Sequence, residues 1–210
     1  MPMNKKVKFF LLGIVIFIFF LLFSYLVNKD LFTSFDLNTT VRLQDKLIRI
    51  VDGPFSFFSL LGDFEVISFF LVIALFLLRK INGVFILPVY FLLNLVELYA
   101  KYFIDHLPPP HFLLRTEQIV DFPKFYVSTQ NSYPSGHMAR TVFLTVILVF
   151  LLQRSKKLSK NTKYLCFGFL ILFDIVMFVS RIYLGEHWST DVIGGAFLGF
   201  AFAIGSLIFI

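Results

Sequence analysis

Two short polar motifs interrupt an otherwise apolar sequence, and their residue types suit phosphoryl transfer. The first motif occupies residues 134–137 and reads Pro-Ser-Gly-His. The second begins with Ser180-Arg181, continues after five residues with His187 and ends after three more with Asp191. Histidines, an arginine, an aspartate and a Ser-Gly helix start are the groups needed to bind a phosphoryl group and move it through a phosphohistidine. Polar groups are costly in apolar surroundings, so these residues are candidates for function.

The phosphate-binding part of this chemistry needs positive charge and fixed N–H donors. Ser135 and Gly136 at a helix start supply backbone N–H groups and the positive end of the helix dipole. Arg181 offers a planar fork for two phosphate oxygens, and Lys101 adds a point charge. Glu97 lies four residues before Lys101. This spacing predicts either an ion pair that holds the lysine or a solvated pair near the membrane surface.

His187 and Asp191 lie four residues apart and therefore share one helix face. The carboxylate can hold one imidazole N–H and leave the other nitrogen free to attack phosphorus. We assign His137 as the acid that protonates the leaving group. The two histidines must therefore start in opposite protonation states. Two alternatives stay open: histidines that merely bridge helices, and a zinc site. Arg181 and Lys101 beside the cluster disfavour a cation site, so no metal or other cofactor is predicted.

The composition places the chain in a membrane. Of its 210 residues, 58% are hydrophobic and only 15% are charged, whereas a soluble domain carries about 25% charged residues. The net charge of +6 could suggest nucleic acid, but the basic residues are distributed as in a membrane protein. We therefore expect the lipid bilayer and a lipid phosphate as partners and no nucleic acid. The sequence gives no indication of the oligomeric state.

We predict an all-α fold, a single membrane domain over residues 1–210 with six transmembrane helices. A polar break at residues 62–65 interrupts the second span, so its first part is expected to be an interfacial helix starting at Pro54. The first span is kept as a helix because no small-residue cleavage site follows it. The six predicted spans are residues 9–27, 57–78, 81–104, 137–154, 164–184 and 187–210.

Basic residues predict the orientation of this bundle. The N-terminus, the connection between the second and third spans and the connection between the fourth and fifth together carry ten basic and no acidic residues. The loops on the other side have mixed charge. Both termini are therefore predicted to be cytoplasmic. Both polar motifs then lie at the outer face, where Lys101 also arrives at the end of the third span.

These residues resemble the type 2 phosphatidic acid phosphatase family, the membrane lipid phosphate phosphatases. The second and third signatures of the family, Pro-Ser-Gly-His and Ser-Arg-x5-His-x3-Asp, are complete at residues 134–137 and 180–191. The resemblance implies a metal-independent phosphatase that acts on lipid phosphates at the outer face. It also implies His187 as the nucleophile, Asp191 as its partner and His137 as the general acid.

The first signature of the family, Lys-x6-Arg-Pro, is broken in this chain. Lys101 is followed by six residues, but Pro108 stands where the family has arginine, and residues 81–114 contain no arginine. In the family that arginine clamps the phosphate. Loss of such a donor costs roughly 3–4 kcal/mol, or roughly 10²–10³ in rate. Either another cation fills the gap, or the enzyme is slower or altered in its substrate.

Several residues are candidates for the missing positive charge. Arg115 in the outer loop is the first, with a solvated loop charge as the alternative. His106 and His111 are weaker candidates, with interfacial histidines as the alternative. Arg140, one turn into the fourth span, could turn toward the phosphate. We expect it instead to pair with Asp174, because an unpaired charge inside a membrane is hard to keep.

The leading hypothesis is a phosphatase that cleaves a lipid phosphomonoester or diphosphate, such as undecaprenyl diphosphate, phosphatidic acid or phosphatidylglycerophosphate. The sequence does not distinguish hydrolysis from transfer of the phosphoryl group to another lipid. A lipid-binding protein impaired in catalysis by Pro108 also stays open. So does a transporter, although charges gathered at one face suit a surface site better than a midplane one. The related vanadium-dependent haloperoxidases are soluble, which this hydropathy disfavours.

Overall fold

The computed structural model describes residues 4–78, 81–117 and 129–210, and all regular secondary structure in these ranges is helical. The prediction of an all-α fold is confirmed. Short 3-10 turns occur at Arg49–Val51, Ile81–Phe85, His111–Leu113 and Leu207–Phe209. The α-helices are α1 (Lys5–Val27), α2 (Thr33–Lys46), α3 (Asp52–Leu60), α4 (Phe64–Leu78), α5 (Ile86–Phe103), α6 (Gly136–Arg154), α7 (Lys160–Tyr183) and α8 (Ser189–Ser206).

The described residues contain five helices that are long and apolar enough to cross a membrane: α1, α5, α6, α7 and α8. A sixth crossing results if α3 and α4 are taken together, since they meet at a bend of 52°. The bend lies at residues 61–63, beside the polar break that predicted it. The observed bounds differ from the predicted spans by a few residues; α6, for example, begins at Gly136.

Helix α2 was not predicted from the hydropathy of the sequence. Its polar side chains Asp36, Thr40 and Gln44 follow each other at intervals of four residues and are buried, whereas large apolar side chains of α2 are exposed. Gln44 Nε2 donates to the carbonyl oxygens of Leu113 and Tyr183 at 2.7 and 2.8 Å. Polar groups toward the protein and apolar groups outward are typical of a helix at a membrane surface. Its 14 residues are too few and too polar for a span.

Close packing of α6 against α8 brings the starts of both helices together. A Cβ added to Gly195 would overlap the carbonyl oxygen of Ser135, and one added to Gly199 would overlap that of Ala139. Small residues allow helix backbones to approach this closely inside a membrane. The backbone N–H of Ser135 donates to the carbonyl oxygen of Asp191 at 3.0 Å. The two polar motifs are therefore in direct contact.

The opposite ends of the same helices meet at the other side of the bundle. Arg154 at the end of α6 donates through Nη1 to the carbonyl oxygen of Ile210 at 2.7 Å. The ring of Phe9, in the second turn of α1, meets the ring of Phe150 edge-on at 6.4 Å between centroids. The first turns of α1, the end of α6 and the last residues of the chain therefore share one end, and the polar motifs share the other.

Candidate active site

A tight turn between α7 and α8 places His187. Helix α7 ends at Tyr183, and Gly185 adopts a left-handed backbone with a φ of 69°. A Cβ at this position would also overlap the carbonyl oxygen of Leu113. Glycine is the residue that fits both conditions. The chain folds back on the helix end, so that the N–H of His187 donates to the carbonyl oxygen of Arg181 at 3.2 Å.

Asp191 orients His187 from the first turn of α8. His187 Nδ1 lies 3.2 Å from Asp191 Oδ2, the contact expected from their spacing. Asp191 is completely buried, and its Oδ2 also accepts the N–H of Trp188 at 3.0 Å. An ionised carboxylate can only accept hydrogen bonds, so His187 must donate through Nδ1. When the ring is neutral, Nε2 therefore carries the free electron pair.

Burial favours this neutral ring. Burial lowers the pKa of His187 below its usual value of 6.5, and the charges of Arg181 and Lys101 act in the same direction. The hydrogen bond to Asp191 opposes this shift but does not reverse it. The imidazole is therefore unprotonated at neutral pH, which is the state that a nucleophile requires.

His137 has a carboxylate partner of its own, which the motif spacing did not reveal. His137 Nε2 lies 2.9 Å from Oδ1 of Asp63, a residue 74 positions earlier in the sequence. A Cβ on Gly62 would come 2.8 Å from Cδ2 of His137, so the ring packs directly on the chain at the bend between α3 and α4. The polar break in the second span therefore brings a carboxylate to His137.

Four buried side-chain atoms have no hydrogen-bond partner among the residues that the structure describes: Ser135 Oγ, Arg181 Nε, Ser189 Oγ and Thr40 Oγ1. Ser135 is fully buried at the N-cap position of α6, yet its side chain makes no capping hydrogen bond. Arg181 is only 4% exposed, and its terminal nitrogens contact Ser59 Oγ and the carboxylate of Glu186. An unpartnered hydroxyl at a helix N-terminus and an unpartnered guanidinium N–H fit an anion such as phosphate.

Glu97 joins α5 to the start of α6. Its Oε1 lies 3.0 Å from Lys101 Nζ, so the predicted helical pair is present. Its Oε2 accepts a hydrogen bond from Arg140 Nη1 at 2.9 Å. A Cβ on Gly136 would overlap the Glu97 carboxylate, which therefore lies directly against the first residue of α6. Lys101 is thereby tied to the helix that carries His137.

The predicted pair of Arg140 and Asp174 is wrong. Besides the carboxylate just described, Arg140 donates to Asn94 Oδ1 at 3.2 Å and to the carbonyl oxygen of Gly62 at 3.3 Å. Asp174 accepts instead from Thr145 Oγ1 at 3.0 Å. Arg140 extends toward α5 and the α3–α4 bend because these elements offer a charged partner and two further oxygens. A buried guanidinium is stable only when its donors are satisfied in this way.

Arg115 contacts a different group of residues. Its Nη1 donates to the hydroxyl of Tyr183 at 3.0 Å, and the guanidinium lies 5.1 Å from the centroid of that ring. The same hydroxyl donates to Asp52 Oδ1 at 2.5 Å, and the N–H of Arg115 donates to the carbonyl oxygen of Leu184 at 2.9 Å. These contacts lend no support to Arg115 as a phosphate ligand, and that assignment stays a prediction. His111 is exposed in a short turn.

His106 reaches Asp191 through the carboxylate oxygen that His187 does not use. His106 Nδ1 lies 2.7 Å from Asp191 Oδ1, and Nε2 lies 3.7 Å from Asp36 Oδ2. Burial opposes the charged ring, but the hydrogen bond to Asp191 and the charges of both carboxylates raise the pKa of His106. Both ring nitrogens face carboxylates, which disfavours the hypothesis that His106 binds phosphate. Nothing in the spacing of the motifs pointed to these contacts.

The assembled groups are of the types that phosphoryl transfer requires. Two carboxylate–histidine pairs meet the cations Lys101 and Arg181 where several helix ends converge. A carboxylate-bound imidazole is a group type that can act as a nucleophile or transfer a proton. Across residues 4–78, 81–117 and 129–210, no group of three or more His, Cys, Asp or Glu side chains could hold a metal ion.

Comparison with known proteins gives a family match over the part of the chain that holds both motifs. The profile of the PAP2 superfamily matches residues 80–210. Phosphatidylglycerophosphatase B of Bacillus subtilis strain 168 is 38% identical over 82 residues. That aligned segment covers 38% of this chain and 39% of the length of the relative.

Two solved structures share the fold. The first is described as a transmembrane PAP2 type phosphatidylglycerolphosphate phosphatase from Bacillus subtilis; it matches with a TM-score of 0.72 and 24% identity, over 91% of this chain and 92% of that one. The second, LpxE of Aquifex aeolicus, matches with a TM-score of 0.60 and 24% identity, over 82% of this chain and 94% of that one. At this identity the likeness concerns the fold. The profile match extends over more than half of the sequence and confirms the resemblance carried by the two motifs: the chain belongs to the PAP2 superfamily.

Proposed function

We propose that this chain is an integral-membrane phosphatase that removes the phosphoryl group of a lipid phosphate through a covalent phosphohistidine. One observation carries the proposal: an oriented, buried nucleophile adjoins buried donors without partners. Asp191 fixes His187, while Ser135 Oγ and Arg181 Nε have no partner in the described ranges. The hydrogen bond from Ser135 N–H to the Asp191 carbonyl oxygen joins the two parts. Unpartnered buried donors are costly, and a bound phosphate would satisfy them.

In the first step, His187 Nε2 attacks phosphorus and the bond from phosphorus to the lipid oxygen breaks. The electron pair of that bond goes to the leaving oxygen, which takes a proton from His137. Asp63 accepts a hydrogen bond from Nε2 of His137. The proton for the leaving oxygen must therefore come from Nδ1 of the imidazolium, since both ring nitrogens of that form are donors.

In the second step, water hydrolyses phospho-His187. His137, now neutral, takes a proton from the water while the water oxygen bonds to phosphorus. The bond from phosphorus to nitrogen breaks, and its electron pair returns to His187 Nε2. Asp191 holds the Nδ1 proton of His187 throughout, so the ring returns to its starting tautomer.

Carboxylates partly balance the cations that would hold the substrate. Lys101 pairs with Glu97, and Arg181 contacts Glu186. An incoming phosphate must compete with these carboxylates. Because Pro108 stands where the family signature has arginine, this chain has one cation fewer for the phosphate. We therefore expect weaker stabilisation of the transferred phosphoryl group than the complete signature provides.

A lipid substrate suits the apolar surface beside the site. Met138 follows His137 directly, and Phe178 lies three residues before Arg181. Both line a lateral groove that an alkyl chain could occupy. The name of the Bacillus subtilis relative makes phosphatidylglycerophosphate the first substrate to test. The groove measures about 220 Å³ and is lined by Met138, Ile171, Asp174, Ile175 and Phe178.

The distribution of charge supports a site that faces away from the cytoplasm. The end of the bundle opposite the site carries the basic residues of the N-terminus and of the α6–α7 connection, where the structure describes eight Lys and Arg residues and no acidic residue. Such an excess favours the cytoplasmic side. Arg79 and Lys80, which belong to the same prediction, lie outside the described residues.

Phosphate release by the purified protein in detergent tests this proposal. The substrates are phosphatidylglycerophosphate, phosphatidic acid and undecaprenyl diphosphate, each with a chelator present. We expect release from at least one of them, and loss of that release in His187→Gln. Full release by His187→Gln would contradict the assignment. Chromatography of the labelled products separates hydrolysis, which yields free phosphate, from transfer, which yields a second labelled lipid.

A further inference from the structure

Asp191 accepts hydrogen bonds from two histidines through different oxygens. Oδ2 accepts from His187 at 3.2 Å, and Oδ1 lies 2.7 Å from His106 Nδ1. The shorter contact is therefore the one on the side away from the nucleophile. A carboxylate held at only one oxygen can rotate about its Cβ–Cγ bond. A carboxylate held at both oxygens keeps its plane, and with it the direction in which it holds His187.

The backbone around His106 fixes the ring at this position. The N–H of His106 donates to Asn131 Oδ1 at 3.1 Å. Its carbonyl oxygen accepts from the N–H of Ser132 at 2.9 Å and from Ser132 Oγ at 3.1 Å. The ring stands edge-on to Tyr133, with 6.3 Å between centroids. His106 is therefore anchored to the segment that leads into α6, and its side chain is only 11% exposed.

Asp36 of α2 supports the same arrangement from a third element. Asp36 Oδ1 accepts the backbone N–H of Thr190 at 2.9 Å, and Oδ2 accepts the Thr190 hydroxyl at 2.6 Å. Oδ2 also lies 3.7 Å from His106 Nε2. Asp36 is 1% exposed. Two buried carboxylates, Asp36 and Asp191, therefore flank one imidazole, which can present an N–H to each of them only while it is protonated.

We propose that His106, supported by Asp36, is a positioning residue for the nucleophile: it fixes the Asp191 carboxylate so that Oδ2 holds His187 ready for attack. This inference rests on the proposed function, in which His187 attacks phosphorus. His106 itself touches no reacting atom, and its influence passes through Asp191. The residue lies two positions before Pro108, within the stretch where the first family signature is broken.

A leucine in place of His106 keeps a similar volume and removes both ring donors. We expect His106→Leu to lower kcat by about 10- to 100-fold, the range that loss of a hydrogen bond to a charged group allows, with KM changed by less than about 2-fold. His106→Asn places an amide N–H near the position of Nδ1 and should recover most of the lost rate. Asp36→Asn should lower kcat less than His106→Leu does. Asp45→Asn, on the exposed side of α2, is the matched control and should leave kcat unchanged.

A double-mutant cycle separates positioning from general stability. In an Asp191→Asn background, adding His106→Leu should lower kcat little further, because the carboxylate through which His106 acts is already absent. Additive losses in the two backgrounds, a change in KM alone, or failure of His106→Asn to recover activity would overturn the inference. If His106→Leu does not elute as a folded protein on detergent gel filtration, Asp36→Asn decides, and unchanged kcat in that variant also overturns the inference.

The wild type distinguishes failure of the inference from failure of the proposed function. If the wild type releases phosphate and His187→Gln does not, the proposed function stands. His106→Leu with unchanged kcat then overturns the positioning role of His106 alone. If neither the wild type nor any variant releases phosphate from the lipid panel, the proposed function fails, and the inference that rests on it fails too.

Discussion

Replacing Asp63 by asparagine removes one negative charge from the side of His137 with almost no change in volume. The carboxylate oxygen lies 2.9 Å from His137 Nε2, and its side chain is 8% exposed, so water cannot readily take its place. A hydrogen bond to a charged group contributes about 1.5–3 kcal/mol, against about 0.5–1.5 for a neutral one. If the amide oxygen keeps a neutral hydrogen bond to His137, we expect the transition state to lose about 1 kcal/mol of stabilisation. If that hydrogen bond is lost, the transition state loses up to about 3 kcal/mol. These values correspond to about 5- to 150-fold in rate.

The dependence on the leaving group tests whether this loss concerns proton donation. A lipid alkoxide needs a proton to leave, whereas p-nitrophenolate leaves without one. Asp63→Asn should therefore slow cleavage of the lipid phosphate by about 5- to 150-fold. The burst of p-nitrophenolate from p-nitrophenyl phosphate reports the first step alone, and it should slow by less than about 2-fold.

Equal slowing of both substrates would contradict a role of Asp63 in proton donation, because it would show that Asp63 acts on something other than the leaving group. Unchanged cleavage of the lipid phosphate would refute it as well. Asp45→Asn makes the same acid-to-amide change on an exposed helix position and controls for the loss of a charge. Detergent gel filtration of both variants controls for folding.

Further predictions concern acidity, stability and the approach of Glu97 to α6. Because burial lowers the pKa of His187 below 6.5, the acidic limb of kcat/KM should be centred below pH 6.5, and a limb centred above it would contradict the neutral nucleophile. Arg140→Met leaves Glu97 without one buried partner and should destabilise the protein by about 3–5 kcal/mol in thermal unfolding in detergent; a loss below about 1 kcal/mol would count against the pair. Gly136→Ala should lower kcat/KM by at least about 10-fold because its Cβ overlaps the Glu97 carboxylate. Gly168 has open space where a Cβ would lie, so Gly168→Ala should leave kcat/KM unchanged. An equal loss of kcat/KM in the two variants would contradict this explanation.

Local spacing was enough to predict two contacts between residues that are close in the sequence. Glu97 and Lys101 lie four residues apart in α5, and helix geometry brings such residues together. His187 and Asp191 have the same spacing and also meet, although His187 lies in the turn just before α8. Long apolar runs likewise predicted the membrane helices, because a helix that crosses lipid must be apolar along most of its length.

Contacts between distant segments could not be read from spacing. Asp63 lies 74 residues from His137, and His106 lies 85 residues from Asp191. Their meeting depends on how the helices pack, and the sequence showed only isolated polar groups near apolar segments. The wrong partner for Arg140 has the same origin, since the sequence does not indicate which neighbouring helix that side of α6 faces.

Helix α2 shows a different limit. Hydropathy identifies helices that are apolar all round, and α2 is apolar only on the side that faces away from the protein. Its buried polar side supplies Asp36, which contacts the first turn of α8. A surface helix of this kind becomes recognisable only when its polar residues are seen to lie against the site.

Trapping the phosphoenzyme shows whether His187 forms a covalent bond to phosphorus. The protein is mixed with a radiolabelled lipid phosphate, quenched in alkali within the first turnover, and digested for mass spectrometry. We expect a label on the peptide that carries His187, stable in alkali and lost in acid, and absent from His187→Gln. Turnover of the lipid phosphate without a label on His187, or undiminished turnover by His187→Gln, would contradict this expectation.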